Sequence, residues 1–173
     1  ILPLFCTVDA HAKFAIFSNA KIYSFEANKD SYKVCLENTK DIDRITVVNK
    51  CINDYDGTCK FYPINSEKTV TTWFDGNRGA SSMFKANGAV DHIEKYVQDE
   101  VEMECIKLET FCKENGISKI DLIWMDLQGA ELLAIKGLGE YLNDVELLHC
   151  EISHKEMYTG QVLFPARSEE RRV

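Results

Sequence analysis

The chain has 173 residues, of which 45% are hydrophobic, and this is enough for one domain with its own core and no disulfide or metal support. Its formal net charge of −8 disfavours duplex nucleic acid as a partner. No apolar run approaches the roughly 20 residues of a membrane-spanning helix, so the sequence predicts a soluble protein that binds no membrane.

The first half of the chain alternates predicted strands and helices. Such alternation is typical of an α/β fold with a mostly parallel, doubly wound sheet and right-handed crossovers. The predicted elements are a strand at 2–8, a helix at 10–18, a strand at 21–25, a helix at 29–40 and a strand at 44–51.

The segment from 51 to 120 is much longer than a simple crossover, which indicates an insertion. Residues 58–64 follow an Asp-Gly turn, and residues 101–105 alternate strictly, so both are predicted as short, partly antiparallel strands. Between them, residues 72–88 are rich in Gly, Ser and Asn. This composition predicts a mobile loop, and a lid is one interpretation.

After the insertion, residues 108–115 predict a short helix and residues 145–152 a last parallel strand. The apolar run 120–125 lacks the alternation of a half-exposed strand, which favours a central parallel strand. Helical spacing follows, with an apolar stripe and a glycine, Gly137 or Gly139, to end the helix.

The seven cysteines occur at irregular spacing without a Cys-x-x-Cys pair. This pattern favours buried thiols in a reducing compartment, and we expect a cytoplasmic protein. The four histidines show no metal-ligand spacing with the thiols, so no metal site is expected.

Three acids, Glu26, Asp126 and Glu151, each lie at the carboxyl end of a predicted strand. Ligands of open α/β sheets bind in the crevice outside the carboxyl ends of the strands, so we expect the acids to converge on one site. An acid placed like Glu26 accepts hydrogen bonds from the ribose of a nucleoside cofactor. Four residues here also have a structural alternative. Asp126 would cap the following helix, and Glu26 would cap a helix or be solvated. In the turn after Asp126, Gly129 would allow close packing and Glu131 would compensate the helix dipole.

The chain resembles the FkbM-type methyltransferases, which use S-adenosylmethionine and have a Rossmann-like class I methyltransferase sheet. The resemblance covers about residues 21–164. It rests on an ordered set of motifs: Ile22-Tyr-Ser-Phe-Glu26-Ala-Asn28, the run 47–57, Ala80-Ser81-Ser82, residues 106–111, Ile120 to Glu131, Leu148-His-Cys-Glu151-Ile-Ser, and Tyr158-Thr-Gly-Gln161.

The resemblance implies roles for individual residues. Glu26 would hold the ribose next to Asn28, Cys51 and Ile52 would flank the adenine, and Asp126 would face the methionine part and the acceptor. On the acceptor side the predicted residues are Ser81, Ser82, Gln128 and Glu131. Asp9 and His11 form an Asp-x-His-like remnant that is predicted to lie near the cofactor. The candidate general bases are Asp126, Glu151 and His154. For His154, in a polar stretch, a surface position is the alternative.

The chain departs from the family at both ends. The family has a glycine-rich turn after its first strand, whereas this chain has no glycine before Gly57. Either the cofactor site is degenerate, or a segment near residues 10–14 is lacking from this sequence. Residues 165–173 replace a final helix and hairpin, so we expect a single domain over 1–164, an incomplete C-terminal hairpin and a solvated tail.

The sequence therefore predicts an S-adenosylmethionine-dependent enzyme that methylates a hydroxyl of a sugar or another small molecule. The alternative is a catalytically silent methyltransferase-like domain that binds a partner or acts as a scaffold. A nicotinamide-dependent oxidoreductase would explain Glu26, but not the segment 126–131 or the long insertion. The acceptor and the oligomeric state are open at this point.

Overall fold

The computed structural model describes residues 19–163, and its elements follow the predicted alternation of strands and helices. The predicted strand 2–8, the helix 10–18 and the tail 165–173 lie outside the described residues. Within the described range no helix is long and apolar enough to cross a bilayer. The elements are β1 (Ile22–Phe25), α1 (Lys29–Thr39), β2 (Ile45–Val48), β3 (Cys51–Ile52), β4 (Gly57–Phe61), β5 (Val101–Ile106), α2 (Leu108–Glu114), β6 (Leu122–Met125), α3 (Glu131–Gly137) and β7 (Leu147–Cys150), with 3-10 turns at Arg78–Ala80 and Gly139–Asp144.

The fold is mixed α/β, and the described strands form three small sheets. β1 pairs with β2, and β6 with β7, both in parallel. In the insertion, β5 pairs in parallel with β3 and antiparallel with β4, which confirms the small, partly antiparallel insertion. A single doubly wound sheet stays a prediction, because no hydrogen-bonded ladder joins the three groups within residues 19–163.

The predicted strand 44–51 is wrong in extent, because β2 ends at Val48 and the chain then enters a different sheet at Cys51. The Asn49 side-chain amide donates to the backbone oxygens of Glu26 (2.7 Å) and Ala27 (3.2 Å). These bonds hold residue 49 against the loop after β1, so β2 does not continue past Val48. An apolar run alone gives no sign of such a break.

The main core packs α2 and α3 against β1 and β6. Phe111 of α2 makes edge-to-face contacts with Tyr23 and Phe25 of β1, at ring distances of 5.2 and 4.8 Å. Gly137 brings α3 against the loop after β3, where a Cβ would lie only 2.2 Å from the backbone oxygen of Asn53. The core therefore fixes the carboxyl ends of β1, β3 and β6 relative to one another.

Five of the six described cysteines are buried, as the composition predicts for structural thiols. Cys51, Cys59 and Cys105 belong to a second core cluster that fills one face of the insertion sheet. Burial raises the pKa of the Cys105 thiol to about 11, which makes it a poor nucleophile.

The loop 72–88 is tied to the rest of the insertion by the Glu94 carboxylate. This carboxylate accepts hydrogen bonds from Thr71 Oγ1 (2.6 Å), Asn77 Nδ2 (2.7 Å) and Tyr96 Oη (2.8 Å). The loop contains a 3-10 turn and a bridge between Ser82 and the strand extension after β4. These tethers give the loop a defined path over the sheet ends.

Asp56 caps α2 from outside the helix. Its Oδ1 accepts from the Lys107 backbone N–H (2.7 Å) and its Oδ2 from Thr110 Oγ1 (2.8 Å). These bonds, the Lys107 bond first, lower the pKa of Asp56 below its usual value of 3.8. The stabilisation is therefore present above about pH 4 and is lost as the pH falls further.

We expect Asp56→Ala to lower the free energy of unfolding by about 1 kcal/mol at pH 7, the usual effect of losing a helix cap. Asp54→Ala removes a neighbouring exposed charge without removing the cap and is the control. Urea unfolding at pH 7 and pH 3 measures both, and the Asp56 effect should shrink at pH 3. Equal losses in the two variants at pH 7 would contradict the capping function.

Candidate active site

Glu26 follows β1 directly and is only 5% exposed. Its Oε1 accepts a hydrogen bond from the Asn28 backbone N–H at 2.8 Å. Burial raises the pKa of Glu26 from 4.5 to about 7, and this rise is opposed by the Asn28 bond and by the positive charge of Arg78. Glu26 is thus a buried strand-end acid that titrates near neutral pH.

Asn28 links the loop after β1 to the insertion. Its Oδ1 accepts from the backbone N–H groups of Asp30 (3.0 Å) and Ser31 (3.2 Å), which caps α1. Its Nδ2 donates to Ser81 Oγ at 3.0 Å. The predicted cofactor residue Asn28 and the predicted acceptor-side residue Ser81 are therefore direct neighbours.

The Ser81 hydroxyl has a complete set of partners. It donates to the Arg78 backbone oxygen (2.6 Å), and it accepts from Asn28 Nδ2 and from the Ile64 backbone N–H (3.0 Å each). A hydroxyl has one donor and two acceptor positions, and all three are used. Ser81 consequently holds three segments together around the site.

The loop after β6 adopts a left-handed turn at Gln128 (φ 50°) and Gly129 (φ 96°). The Gln128 amide donates to Asp126 Oδ1 and accepts from Tyr158 Oη at 3.0 Å. Ser82 Oγ donates to the Gln128 backbone oxygen at 2.8 Å. A non-glycine residue with positive φ is uncommon, and these bonds hold it in place. Asp126 is oriented by this turn.

Glu131 begins α3 and closes the same turn. Its Oε1 accepts from the backbone N–H groups of Leu127 (2.8 Å) and Gly129 (3.4 Å). At Gly129 a Cβ would lie 2.8 Å from the Gln161 Cβ, so the turn and the segment 157–161 are in close contact. In this structure Glu131 supports the turn through hydrogen bonds to its backbone.

Two clefts lie on either side of this turn. The first cleft brings Cys51 and Ile52 together with Ser81, Ser82 and Ala130 and has a cavity volume of about 30 Å³. The second cleft, of about 250 Å³, is lined by Glu131 and Glu151 and by apolar side chains, among them Leu132, Ile135, Ile152, Val162 and Leu163. The second volume approaches the lower end of the range of ligand pockets, whereas the first has room for about two water molecules.

The remaining predicted site residues are placed as follows. Glu151 is exposed on the second cleft. His154 is exposed, and neither it, Glu26 nor Asp126 lines either cleft. Asp9 and His11 lie outside the described residues. Among the described residues, no group of three His, Cys, Asp or Glu side chains is placed to hold a metal ion.

Comparisons with known proteins identify the family of the chain. The model of the methyltransferase FkbM domain matches residues 8–168, nearly the whole chain. The chain belongs to the FkbM methyltransferase domain family. It is 28% identical over 162 residues to the 2-O-methyltransferase NoeI of Sinorhizobium fredii (strain NBRC 101917 / NGR234), covering 89% of this chain and 62% of that relative. No solved structure matches.

Two residues beside the predicted site of this FkbM domain were not singled out in the sequence. Tyr158 is 2% exposed, and its hydroxyl lies 3.0 Å from both the Ala80 backbone oxygen and Gln128 Oε1. The signal for it was present, because Tyr158 is part of the Tyr-Thr-Gly-Gln motif. Arg78, whose charge acts on Glu26, had no such signal.

Glu26→Gln tests the burial of the acid. The raised pKa means that the folded state loses stability as the pH rises from about 4.5 to 7, because the buried group must ionise. At about 1.4 kcal/mol per pH unit, we expect the variant to be more stable than the parent by on the order of 3 kcal/mol at pH 8, with little difference at pH 4.5. Urea unfolding at both values measures this, and equal stabilities at pH 8 would contradict the burial effect.

Tyr158→Phe tests whether the Tyr158 hydroxyl links the 3-10 turn Arg78–Ala80 to the turn after β6. We expect a loss of about 1–2 kcal/mol in the free energy of unfolding, and faster amide exchange at Gln128 and Gly129. Tyr141→Phe is the matched control, because it loses a similar bond (2.8 Å to the Ile117 oxygen) away from the turn. Equally fast exchange at the turn in both variants would exclude a specific link.

Proposed function

We propose that this FkbM-family domain is an S-adenosylmethionine-dependent O-methyltransferase acting on a hydroxyl of a sugar or another small molecule. The observation that carries the proposal is the Asp126–Gln128–Tyr158 network, which fixes a strand-end acid on a turn between two clefts. The first cleft has apolar walls of the kind that a base packs against, and the second has room for a small acceptor.

The residues of the cofactor side fit a nucleoside. Glu26 is a buried carboxyl with one oxygen bonded to Asn28, which suits it to accept a bond from a ribose hydroxyl. Cys51 and Ile52 give the neighbouring cleft an apolar wall, as a base requires. S-adenosylmethionine would supply an activated methyl group on a sulfonium, so the protein mainly has to align the reactants.

The acceptor hydroxyl must lose its proton during transfer. Asp126, Glu151 and His154 are the candidates for the general base. Asp126 is favoured because the left-handed turn orients it, whereas Glu151 and His154 are exposed. With Glu131 and Glu151 on its wall, the second cleft suits a neutral hydroxylated acceptor better than an anion.

The relative that is named a 2-O-methyltransferase supports a hydroxyl acceptor. The chain spans 62% of the length of that relative, so the whole protein's activity is part of the proposal. A reducing, cytoplasmic location is proposed too, on the cysteine pattern.

Calorimetric titration with S-adenosylmethionine tests the cofactor. We expect saturable binding, weakened by roughly 1.5 to 3 kcal/mol in Glu26→Ala through loss of a charge-assisted bond. Absence of binding by the parent protein at millimolar cofactor would refute the enzyme and favour the silent methyltransferase-like domain.

Asp126→Asn tests the base. Methyl transfer from radiolabelled S-adenosylmethionine to a panel of methyl glycosides should fall by about 10²- to 10⁴-fold, with cofactor binding and cooperative melting retained. Glu151→Gln and His154→Gln are compared in the same assay. Full turnover by Asp126→Asn together with loss in either of the others would transfer the role to that residue.

A further inference from the structure

We infer that Gln161 binds the acceptor in the second cleft, where its side-chain Nε2 donates a hydrogen bond to a hydroxyl oxygen of a neutral compound with several hydroxyl groups. This inference rests on the proposed function, since it concerns the acceptor side of the same site. It extends the site to the last residue of the Tyr-Thr-Gly-Gln motif.

The Gln161 amide has a fixed orientation. Its Oε1 accepts hydrogen bonds from the backbone N–H groups of Met157 (2.6 Å) and Tyr158 (2.8 Å). Two donors that point at one end of the amide identify this end as the oxygen, so Nε2 occupies the other end. Gln161 is only 7% exposed, and packing holds its side chain in this conformation.

The Nε2 group is a donor that the fold itself does not use. Gln161 lines the second cleft, and no acceptor for Nε2 is present among the described residues. Nε2 is also not one of the polar atoms that are sealed from solvent without a partner. It is therefore open to the cleft, and because its position is fixed in advance, a ligand oxygen can bind it with little loss of side-chain freedom.

The same donor lies against the turn that orients Asp126. A Cβ at Gly129 would lie 3.5 Å from the Gln161 Nε2 and 2.8 Å from the Gln161 Cβ, so the two segments meet where the chain has a glycine. Tyr158, in the same motif as Gln161, bonds to Gln128 of this turn. A ligand held by Nε2 is thus next to the segment that carries the favoured base.

The other polar groups of the cleft determine the kind of ligand. Among the described residues that line it, none is cationic, and Ser153 is the other side chain with an N–H or O–H donor. The Glu131 Oε1 is engaged by backbone N–H groups, whereas the exposed Glu151 carboxylate can accept from a ligand. One fixed donor and a carboxylate match hydroxyl groups, which accept and donate, and disfavour an anion.

The bonded oxygen belongs to a hydroxyl other than the one that is methylated. An oxygen that accepts a hydrogen bond is a weaker nucleophile, so donation to the reacting oxygen would slow methyl transfer. Donation to another hydroxyl positions the acceptor without this effect. Compounds with two or more hydroxyl groups, such as glycosides, therefore fit the cleft best.

The test uses the full chain saturated with S-adenosylhomocysteine and a panel of methyl glycosides with their monodeoxy analogues. Gln161→Glu keeps an oxygen for the Met157 and Tyr158 N–H groups and removes the Nε2 donor. By calorimetry, we expect the affinity for the glycoside to fall about tenfold, while amide exchange at Met157 and Tyr158 stays slow.

The deoxy analogues identify the bond itself. The analogue that lacks the bonded hydroxyl should bind the parent protein about tenfold more weakly than the complete glycoside, and it should bind Gln161→Glu and the parent alike. In the parent protein, the side-chain amide resonance of Gln161 should shift on saturation with the glycoside and stay in place with this analogue.

Gln98→Glu is the matched control. Gln98 also accepts from a backbone N–H through Oε1 (Ala86, 2.7 Å), but it does not line the second cleft. This variant carries the same added charge and should bind the glycoside like the parent. Thermal melts establish that both variants are folded.

Equal glycoside affinity in the parent and in folded Gln161→Glu would overturn the inference and leave the proposed function intact. The same preference for the complete glycoside over every analogue in both proteins would also overturn it. So would a parent protein that binds S-adenosylhomocysteine but no glycoside of the panel. Absence of S-adenosylhomocysteine binding by the parent would refute the proposed function itself.

Discussion

The site depends on the Ser81 hydroxyl, which makes hydrogen bonds to three separate segments of the chain. It joins the loop after β1 through Asn28, the strand extension after β4 through Ile64, and the 3-10 turn through the Arg78 oxygen. Because all three hydrogen-bonding positions of its hydroxyl are used, Ser81 holds the segments together and has no donor left for a ligand. The insertion is thereby part of the site's framework, and it controls the placement of groups that the strands alone would leave apart.

Next to Ser81, Ser82 makes the corresponding connection to the turn after β6. The Gln128 carbonyl accepts from Ser82, while the Gln128 side chain bridges Asp126 and Tyr158. The left-handed conformation of Gln128 is held by bonds on both its backbone and its side chain. Residues held in sparsely populated conformations are concentrated at functional sites, and here the held residue orients the acid.

Much of the framework could be predicted from the sequence because it depends on local patterns. The strand-end positions of Glu26 and Asp126 follow from apolar runs that stop at an acid, and the antiparallel pairing in the insertion follows from the Asp-Gly turn and the alternation at 101–105. The membership in the FkbM family followed from the ordered motifs. These features need no knowledge of long-range contacts.

The rest depended on contacts between distant residues, which no local pattern encodes. The end of β2 is set by an Asn49 side chain that reaches the loop after β1, and the importance of Tyr158 arises from a contact with Ala80. Arg78 looked like an ordinary loop charge, because its burial is produced by the fold of the insertion. The predicted roles of Asp9 and His11 concern residues outside the described range and stay predictions.

The bonds around Ser81 and Tyr158 also bear on how the domain folds. Asn28 and Ser81 are 53 positions apart, Ser82 and Gln128 are 46 apart, and Ala80 and Tyr158 are 78 apart. Closing loops of this length costs chain entropy before any contact forms, so such contacts assemble slowly compared with helices. The region around the two clefts is therefore expected to be among the last parts of the domain to form, and a chain still emerging from the ribosome would have its helices before this region was assembled.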